Sequence, residues 1–393
     1  MKNAKLEANI WKLYLIKAVR CFILTVPIIV LFFKSNGLSM KQIFLLQSLF
    51  SVAVIFLEVP TGFYSDKFGR KKSILIGAIL ASAGFAVYSL SHGFFGFLTA
   101  ELILGVGMSF ISGSDTALMY DTLLQEGREN ENKKVSGLSL SIGLFSEGIA
   151  SVIGGLLATI SLRFPLYCDA VVPLLVIPIA FSLVEPKRKK LEAHENSLKM
   201  MYRLMKYSLN DHVGIKWLII CSAVAGASTL TMFWLIQAYL LATKVPVSLF
   251  GVIMTTLLFT ASFFSWKAHS VEKFLGKKIS LAILVVFPAV GYLLLSSIWY
   301  VWSCVFILLF YVVRGLNNTI TEDYINGLVS SEVRATILSV KNLVGRIMFS
   351  LAGPFVGWVN DAFSLQVALR VSGVIFFSFG LLSFWFMRRH KYL

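Results

Sequence analysis

Charged residues are scarce in this sequence. Only 14% of its 393 residues are Asp, Glu, Lys or Arg, whereas a soluble globular protein carries about 25%. So few charges cannot cover the water-exposed surface of a chain this long, and 57% of the residues are hydrophobic. The composition therefore excludes an ordinary soluble protein and indicates a membrane protein.

The residue patterns of metal sites and enzymes are also missing. The four cysteines lie far apart in apolar runs without a C-x-x-C pair, and the five histidines lack the spacing of metal ligands. The sequence has no H-E-x-x-H motif, no serine nucleophile motif paired with a histidine, and no G-x-x-x-x-G-K-(S/T) nucleotide-binding loop. We therefore predict no metal, no cofactor, no ATP drive and no enzymatic activity.

Long apolar runs dominate what is present. An α-helix crosses the bilayer in about 20 residues, and twelve runs reach that length, so we predict an all-α membrane protein with twelve transmembrane helices. The first run is not followed by a small-residue cleavage site, and we therefore expect it to be retained. The predicted spans are 13–33, 42–64, 73–91, 95–121, 136–161, 164–184, 215–240, 247–268, 279–297, 299–322, 335–359 and 365–387.

The basic residues predict the orientation of these spans. The net charge is +16, but the cations lie in short runs between apolar segments rather than on one face, which argues against nucleic-acid binding. With the N-terminus in the cytoplasm, most of them fall on the cytoplasmic side, as the positive-inside rule requires. The opposite side carries only Lys34, Lys41, Arg163 and Lys244. We expect a multi-pass membrane protein with both termini cytoplasmic.

One long polar segment, 185–214, divides the chain into six spans on each side. We predict an N-terminal six-helix bundle at 1–184, a cytoplasmic linker at 185–214 with a surface helix near Leu198–Leu209, and a C-terminal bundle at 215–393. The sequence DKFGRKK after the second span has a weaker copy, EKFLGKK, after the eighth. This repeat indicates two related bundles facing a central cavity, although basic cytoplasmic loops also resemble each other by chance.

The stretch GFYSDKFGRKKS, residues 62–73, contains a dense cluster of charged residues between the second and third spans. It resembles the signature loop of the major facilitator superfamily, G-x-x-x-D-(R/K)-x-G-(R/K)-(R/K), and lies where that family carries it. The resemblance covers the whole chain and implies a monomeric transporter that moves a small molecule by alternating access. The matching residues are Gly62, Asp66, Lys67, Gly69, Arg70 and Lys71.

Physical chemistry suggests a role for this loop. Gly62 would allow two helices to approach closely, and Gly69 would allow a turn with positive φ. Asp66 could pair with Arg70 or with a neighbouring bundle, or lie at the positive end of a helix. We expect a conformational lock that holds the cytoplasmic ends of the bundles. The alternative is a plain positive-inside anchor, which would need neither the acid nor the glycines.

Ionisable residues inside membrane spans usually mark a functional pathway. Arg20, Glu58 and Asp115 each lie about seven residues from the cytoplasmic end of their span, or about 10 Å deep. One base and two acids at a shared depth are candidates for proton coupling, because burial and Arg20 act on a carboxyl in opposite directions. A static ion pair that fixes helix packing is the alternative. Asp121, at the membrane edge, could instead contact the cytoplasmic loops.

Other charges lie deeper or in the second half. Glu147 falls near the middle of the fifth span, and Arg314 and Arg346 reach a similar depth in the tenth and eleventh. Lys341 is shallower and could pair with Glu322 or Asp323, which close the tenth span. These cations could receive an anionic or zwitterionic substrate, or Glu147 could neutralise one of the arginines. We take Glu147, Arg314, Arg346 and Lys341 as candidate substrate contacts.

The direction of transport is left open by the sequence. EVPTG (58–62) and SGSDTALMYDTL (112–123) resemble an efflux-like bacterial branch of the superfamily. However, the fifth span, GLFSEGIASVIGG, has the glycines but not the proline of the drug exporters' motif, and Glu101 replaces their arginine in the fourth. We expect proton-coupled export of a small organic molecule. The alternative is proton-coupled uptake of a polar or anionic metabolite or a siderophore, which the intramembrane arginines favour.

Overall fold

A computed structural model describes residues 4–186, 213–329 and 331–390 of the chain. Every regular element in these ranges is a helix, so the all-α prediction is confirmed. The surface helix predicted near Leu198–Leu209, and most of the predicted linker, lie outside the described residues.

We number the α-helices in chain order. They are α1 (Ala4–Cys21), α2 (Ile29–Ser35), α3 (Met40–Phe68), α4 (Arg70–Leu90), α5 (Gly93–Ile111), α6 (Ser114–Gln125), α7 (Asn132–Leu157), α8 (Phe164–Val171), α9 (Val176–Phe181), α10 (Val213–Ala242), α11 (Phe250–Ser297), α12 (Leu308–Asn326), α13 (Ser331–Ala362) and α14 (Leu365–Arg389). Short 3-10 helices cover Glu129–Glu131, Val172–Leu175, Val247–Leu249 and Val301–Ile307.

Each of the twelve predicted spans contains helix. Nine helical stretches of the described chain are long and apolar enough to cross a membrane. One of them, Val247–Ser297, contains the predicted eighth and ninth spans together, because α11 runs through a kink at Gly276, where φ is +76°. The remaining two predicted spans correspond to α13 and to the pair α1 and α2.

The first predicted span is not one continuous helix, and in this respect the prediction was wrong. α1 ends at Cys21 and α2 begins at Ile29, so seven residues between them are non-helical. Pro27 lies within this segment and cannot donate a backbone hydrogen bond. Hydropathy detects that a segment is apolar, and it is insensitive to such a break.

Proline also shapes the sixth span. This segment divides into α8, the 3-10 helix Val172–Leu175 and α9. Pro173 opens the 3-10 turn and Pro178 lies within α9. A membrane helix tolerates such interruptions because neighbouring groups satisfy the freed backbone.

The chain forms two compact units. The first comprises Met1–Leu38, Leu49–Ala193 and Pro246–Thr256, and the second comprises Ser39–Ser48, His194–Val245 and Leu257–Leu393. The core of the first unit contains Leu13 and Ile16 of α1 together with Ile74 of α4. Within it, Gly77 of α4 packs so closely on α5 that an added Cβ would lie 2.7 Å from the Gly107 carbonyl oxygen. Small residues at such seams let membrane helices approach each other.

The second unit has its own core and its own hydrogen-bonded helix end. Leu218 of α10, Leu284 of α11 and Leu316 of α12 lie in its apolar centre. At one end of the unit, the Asp361 carboxylate of α13 accepts hydrogen bonds from the backbone amides of Met40 (3.0 Å) and Lys41 (2.7 Å). These are the first amides of α3, which have no partner within the helix.

Candidate functional site

The loop between α3 and α4 is held by charged groups at helix ends. Gly69 has φ +112°, as predicted, and its turn lets α4 begin at Arg70. The Glu185 carboxylate accepts hydrogen bonds from the amides of Arg70 (2.9 Å) and Lys71 (3.0 Å). An acid at a helix N-terminus complements both the free amides and the helix dipole.

The opposite arrangement occurs at the end of the sixth span. The Lys71 ammonium donates to the carbonyl oxygens of Phe181 (2.7 Å) and Leu183 (2.9 Å). A cation at a helix C-terminus is stabilised by the same dipole. The loop is therefore joined to the end of α9 by one acid and one base, each at the helix end that suits its charge.

Arg70 forms the strongest charge contact of the loop. Its guanidinium lies 2.5 Å from Asp121 of α6, as an ion pair without the alignment of a hydrogen bond, and both side chains are mostly buried. Asp66 is 56% exposed and lies 4.0 Å from Arg70. The expected contact of Asp121 with the loop between α3 and α4 is thus present, and Asp121 rather than Asp66 is the close partner of Arg70.

The other two motif residues have local surroundings. Lys67 lies over the rings of Phe63 (5.9 Å) and Phe68 (5.3 Å), where a cation interacts favourably with the ring face. The predicted close helix approach at Gly62 was wrong for this structure. No atom of the described chain lies within 4 Å of an added Cβ there.

The intramembrane charges of the first unit centre on an ion pair. Arg20 lies 2.9 Å from Asp115, and the two side chains are 22% and 13% exposed. Arg20 is in the last turn of α1 and Asp115 is in the first turn of α6, so each lies at the helix end that its charge favours. Glu58 lies exposed on α3. The structure therefore pairs two of the three proton-coupling candidates, Arg20 and Asp115. The third, Glu58, is more exposed than either of them.

Glu147 and Lys17 belong to the same region. Both act electrostatically on the Cys21 thiol, as do Arg20 and Asp115. α7 approaches α1 closely here, since an added Cβ at Gly143 would lie 3.1 Å from the Cys21 sulfur atom. We call Lys17, Arg20, Asp115 and Glu147 the four-charge cluster. The position along the predicted spans had placed Glu147 deeper in the membrane than Arg20 and Asp115.

An acid that sequence reasoning missed lies against the non-helical segment that follows α1. Asp169 of α8 is 1% exposed. It accepts hydrogen bonds from the Leu24 amide (2.9 Å), the Thr25 amide (3.0 Å) and the Thr25 hydroxyl (2.8 Å). Leu24 and Thr25 lie in the non-helical segment between α1 and α2. The signal available in the sequence was an acid inside the sixth span, together with Pro27 inside the first.

The second unit carries a polar stripe on α12. Arg314, Asn318 and Glu322 are four residues apart, which places them on one helix face, and Arg314 and Asn318 are exposed. Lys341 of α13 is buried, and its ammonium lies 2.8 Å from the Glu322 carboxylate and 3.2 Å from the Asn318 side-chain oxygen. The expected pairing of Lys341 with Glu322 is therefore present.

The two candidate substrate-contact arginines of this unit differ in their surroundings. The Arg314 guanidinium lies 5.5 Å from the centre of the Tyr311 ring, and no acid of the described chain forms an ion pair with it. Arg346 is half-buried on α13. An exposed arginine in the middle of a membrane helix requires water or a polar partner, because its charge is costly in lipid.

Comparison with known proteins gives a consistent family. The family model for the Major Facilitator Superfamily matches residues 14–353. Quinolone resistance protein NorA of Staphylococcus aureus is 24% identical over 166 residues, which is 42% of this chain and 42% of NorA. Multidrug resistance protein 2 of Bacillus subtilis is 25% identical over 210 residues, covering 52% of this chain and 51% of that protein. The chain thus spans about half the length of these relatives.

Solved structures are similar over nearly the whole chain. A mutant of the nucleoside transporter NupG has a TM-score of 0.81 at 16% identity, covering 97% of this chain and 99% of that one. A bacterial homologue of the human lysosomal transporter Spinster has a TM-score of 0.76 at 16% identity, covering 98% and 97%. At this identity the likeness establishes the shared fold.

Proposed function

The chain belongs to the major facilitator superfamily, and we propose that it exports a small organic solute across the bacterial inner membrane in exchange for protons. It is a multi-pass membrane transporter and not an enzyme. Partial relatives are named for quinolone and multidrug resistance, which supports export. We further propose that it works as a monomer, with both termini cytoplasmic and with bundles at 1–184 and 215–393 joined by 185–214.

The ion pair between Arg20 and Asp115 is the observation that carries the proton-coupling proposal. A carboxylate beside an arginine keeps its charge, and it binds a proton more readily when the arginine moves away. Both residues lie at helix ends, so a small change at either end alters their distance. The pair can therefore exchange a proton as the first unit changes shape, and we propose Glu58, which is exposed on α3, as a further proton-coupling residue.

The loop between α3 and α4 is proposed to act as the cytoplasmic lock. Arg70 is held by Asp121, while Asp66 is more than half exposed. An exposed acid beside a fixed arginine is placed to form a different contact in another state of the transport cycle. Lys67 and Lys71 would hold the loop to α3 and α9, while Gly69 provides its turn and Gly62 leaves space beside α3.

Uptake of an anionic or zwitterionic solute is the second candidate. The polar stripe of Arg314, Asn318 and Glu322, with Lys341 beside it, favours this alternative. Arg314 is exposed without an ion-pair partner among the described residues, and it could bind a carboxylate. Arg346 and Glu147 remain further candidates for substrate contact.

Proton movement in proteoliposomes tests the proposal. A pH-sensitive dye would report proton flux when quinolones, other cationic drugs, carboxylates or siderophores are added to wild-type protein. The same assay would be run on Asp115→Asn and on Glu58→Gln, because both acids are proposed to take part in proton coupling. Substrate-evoked proton flux that Asp115→Asn abolishes would support coupling through the pair. Substrate movement without proton flux, unchanged in Asp115→Asn, would contradict it, and the responding compound would decide between export and uptake.

A further inference from the structure

The break in the first membrane span is held by a single buried carboxylate. Residues 22–28 separate α1 from α2, and such a break frees amides that lipid cannot satisfy. Asp169 binds two of them, at Leu24 and Thr25, through both of its oxygens. It also accepts the Thr25 hydroxyl. We call Asp169, Leu24 and Thr25 the clasp.

We propose that Asp169 is a proton-binding site and that proton binding opens the clasp. The inference rests on the proposed proton coupling for its role in transport, but proton binding itself can be tested without substrate. A proton from water would add to one carboxylate oxygen and form a neutral carboxyl group. No covalent bond breaks, and the proton leaves again when the carboxylate recovers its amide donors.

The hydrogen bonds of the clasp suit only the ionised form. A carboxylate is solely an acceptor, whereas a protonated carboxyl places a hydrogen on one of its oxygens. One oxygen faces the Leu24 amide, and the other faces the amide and hydroxyl of Thr25. The hydroxyl can rotate to accept the new hydrogen, but neither amide can. Protonation therefore weakens at least one of the hydrogen bonds that the backbone amides of the break donate to Asp169.

In the described part of the chain, Asp169 is held by hydrogen-bond donors rather than by an ion pair. No lysine, arginine or histidine of the described chain forms an ion pair with it, and Cys168 is the titratable side chain beside it on α8. Hydrogen bonds from the break favour the charged form, and near-complete burial favours the neutral one. Because these two effects oppose each other, the loss of one donor favours the neutral form.

Charged groups on the neighbouring elements are engaged elsewhere. On α1, Arg20 pairs with Asp115. Before α8, the Arg163 guanidinium donates to the Ser89 carbonyl oxygen (2.6 Å) and to the Asn36 side chain (2.7 Å). On α4, the Ser82 hydroxyl donates to the Ala170 carbonyl rather than to the Asp169 carboxylate.

Two further acids near these elements also have other surroundings. Glu101 of α5 accepts a hydrogen bond from Tyr88 of α4 (2.5 Å). Glu147 of α7, with Lys17 of α1, lies near the Cys21 thiol. The donors of the break are therefore the groups that decide the charge of Asp169.

The clasp is connected to the four-charge cluster through the backbone. Arg20 lies in the last turn of α1, four residues before Leu24. On the other side, Gly154 of α7 lies so close that an added Cβ would be 1.8 Å from the Leu24 carbonyl oxygen. A change in the break would therefore move the end of α1 that positions Arg20 against Asp115. Asp169 thus combines proton binding with the positioning of a second ionisable pair.

Hydrogen exchange and infrared spectroscopy on the full-length protein test the inference. Peptides covering 22–28 would be followed by mass spectrometry from pH 5 to 9, with rates corrected for intrinsic exchange. We expect protection of this segment to fall in a one-proton step as the pH decreases. In infrared difference spectra over the same range, a carboxyl C=O band should appear with that step and be absent from Asp169→Asn.

Variants of Thr25 make the test independent of the folding of Asp169→Asn. Thr25→Ser keeps the hydroxyl and should keep the step. Thr25→Val removes one donor to the carboxylate and should move the step to higher pH by about one to two pH units, since a hydrogen bond to a charged group accounts for a shift of that size. Thr25→Val and Thr25→Ser with identical, pH-independent protection would overturn the inference, as would a wild-type protein without the carboxyl band.

A final comparison separates this inference from the proposed function. If the step is present but substrate evokes no proton flux in proteoliposomes, proton-coupled transport is wrong and proton binding at Asp169 stands. If proton flux is present but the step is absent, coupling stands and the clasp is only structural.

Discussion

Replacing Asp121 should destabilise the first unit, while replacing Asp66 should leave its stability almost unchanged. Both acids lie near Arg70, but Asp121 is 2.5 Å away and 18% exposed, whereas Asp66 is 4.0 Å away and 56% exposed. At an effective dielectric constant of about 20, two charges about 4 Å apart attract by about 4 kcal/mol. Desolvation of two mostly buried groups offsets part of this attraction.

We therefore expect Asp121→Asn to lower the free energy of unfolding by about 1–3 kcal/mol. For Asp66→Asn, we expect less than about 0.5 kcal/mol, as for exposed surface pairs. If the loop is a lock, transport should show a different order, with Asp66→Asn losing activity although the protein remains folded. An anchor would leave transport by Asp66→Asn intact.

A double-mutant cycle measures the pair directly. Unfolding would be followed by denaturing-detergent titration for wild type, Asp121→Asn, Arg70→Gln and the double variant. The Glu185 carboxylate accepts a hydrogen bond from the backbone amide of Arg70, not from its side chain. Arg70→Gln therefore keeps this hydrogen bond and shows whether the lost side-chain charge affects Glu185. A coupling energy near zero would refute the assignment of Asp121 as the principal partner of Arg70.

Three further outcomes follow from the close contacts and charged ends. Gly154→Ala should destabilise the protein by about 1–3 kcal/mol through overpacking. Gly137→Ala, on the same helix with open space around it, should be neutral or stabilising by up to about 1 kcal/mol. Thermal unfolding of both variants checks this difference, and equal effects would contradict it. Glu322→Gln should lower stability by leaving the buried Lys341 ammonium without its carboxylate, and adding Lys341→Met should recover part of the loss in the same unfolding assay. Glu185→Gln should cost about 0.3–1 kcal/mol, and that cost should shrink at high salt because helix-dipole interactions are screened.

Sequence reasoning succeeded where one-dimensional patterns determine the outcome. Helix content follows from apolar run length, and the positive φ of Gly69 follows from its place in a tight turn. Arg20 and Asp115 were found because equal depth in two spans is readable from the sequence. The pairing of Lys341 with Glu322 was expected for the same reason.

What the sequence did not reveal depends on three-dimensional contacts. The break after Cys21 satisfies its amides through Asp169, which is more than 140 residues away in the chain, so no local window contains both partners. Gly62 was expected to allow a close helix approach, but the neighbours of a glycine are not determined by its own sequence. Glu147 was grouped by depth with Arg314 and Arg346 of the second half, whereas α7 packs on α1 and places Glu147 in the electrostatic surroundings of Cys21.

The attachment of Glu185 to the loop between α3 and α4 has a consequence for dividing the chain. A fragment ending at 184, the boundary that the hydropathy of the sixth span suggests, would leave the first two amides of α4 without their acceptor. One ending after Pro186 would retain it. Split-protein experiments and inserted reporter domains should therefore place their junction after Pro186, since the apparent start of the linker is still part of the first unit's architecture.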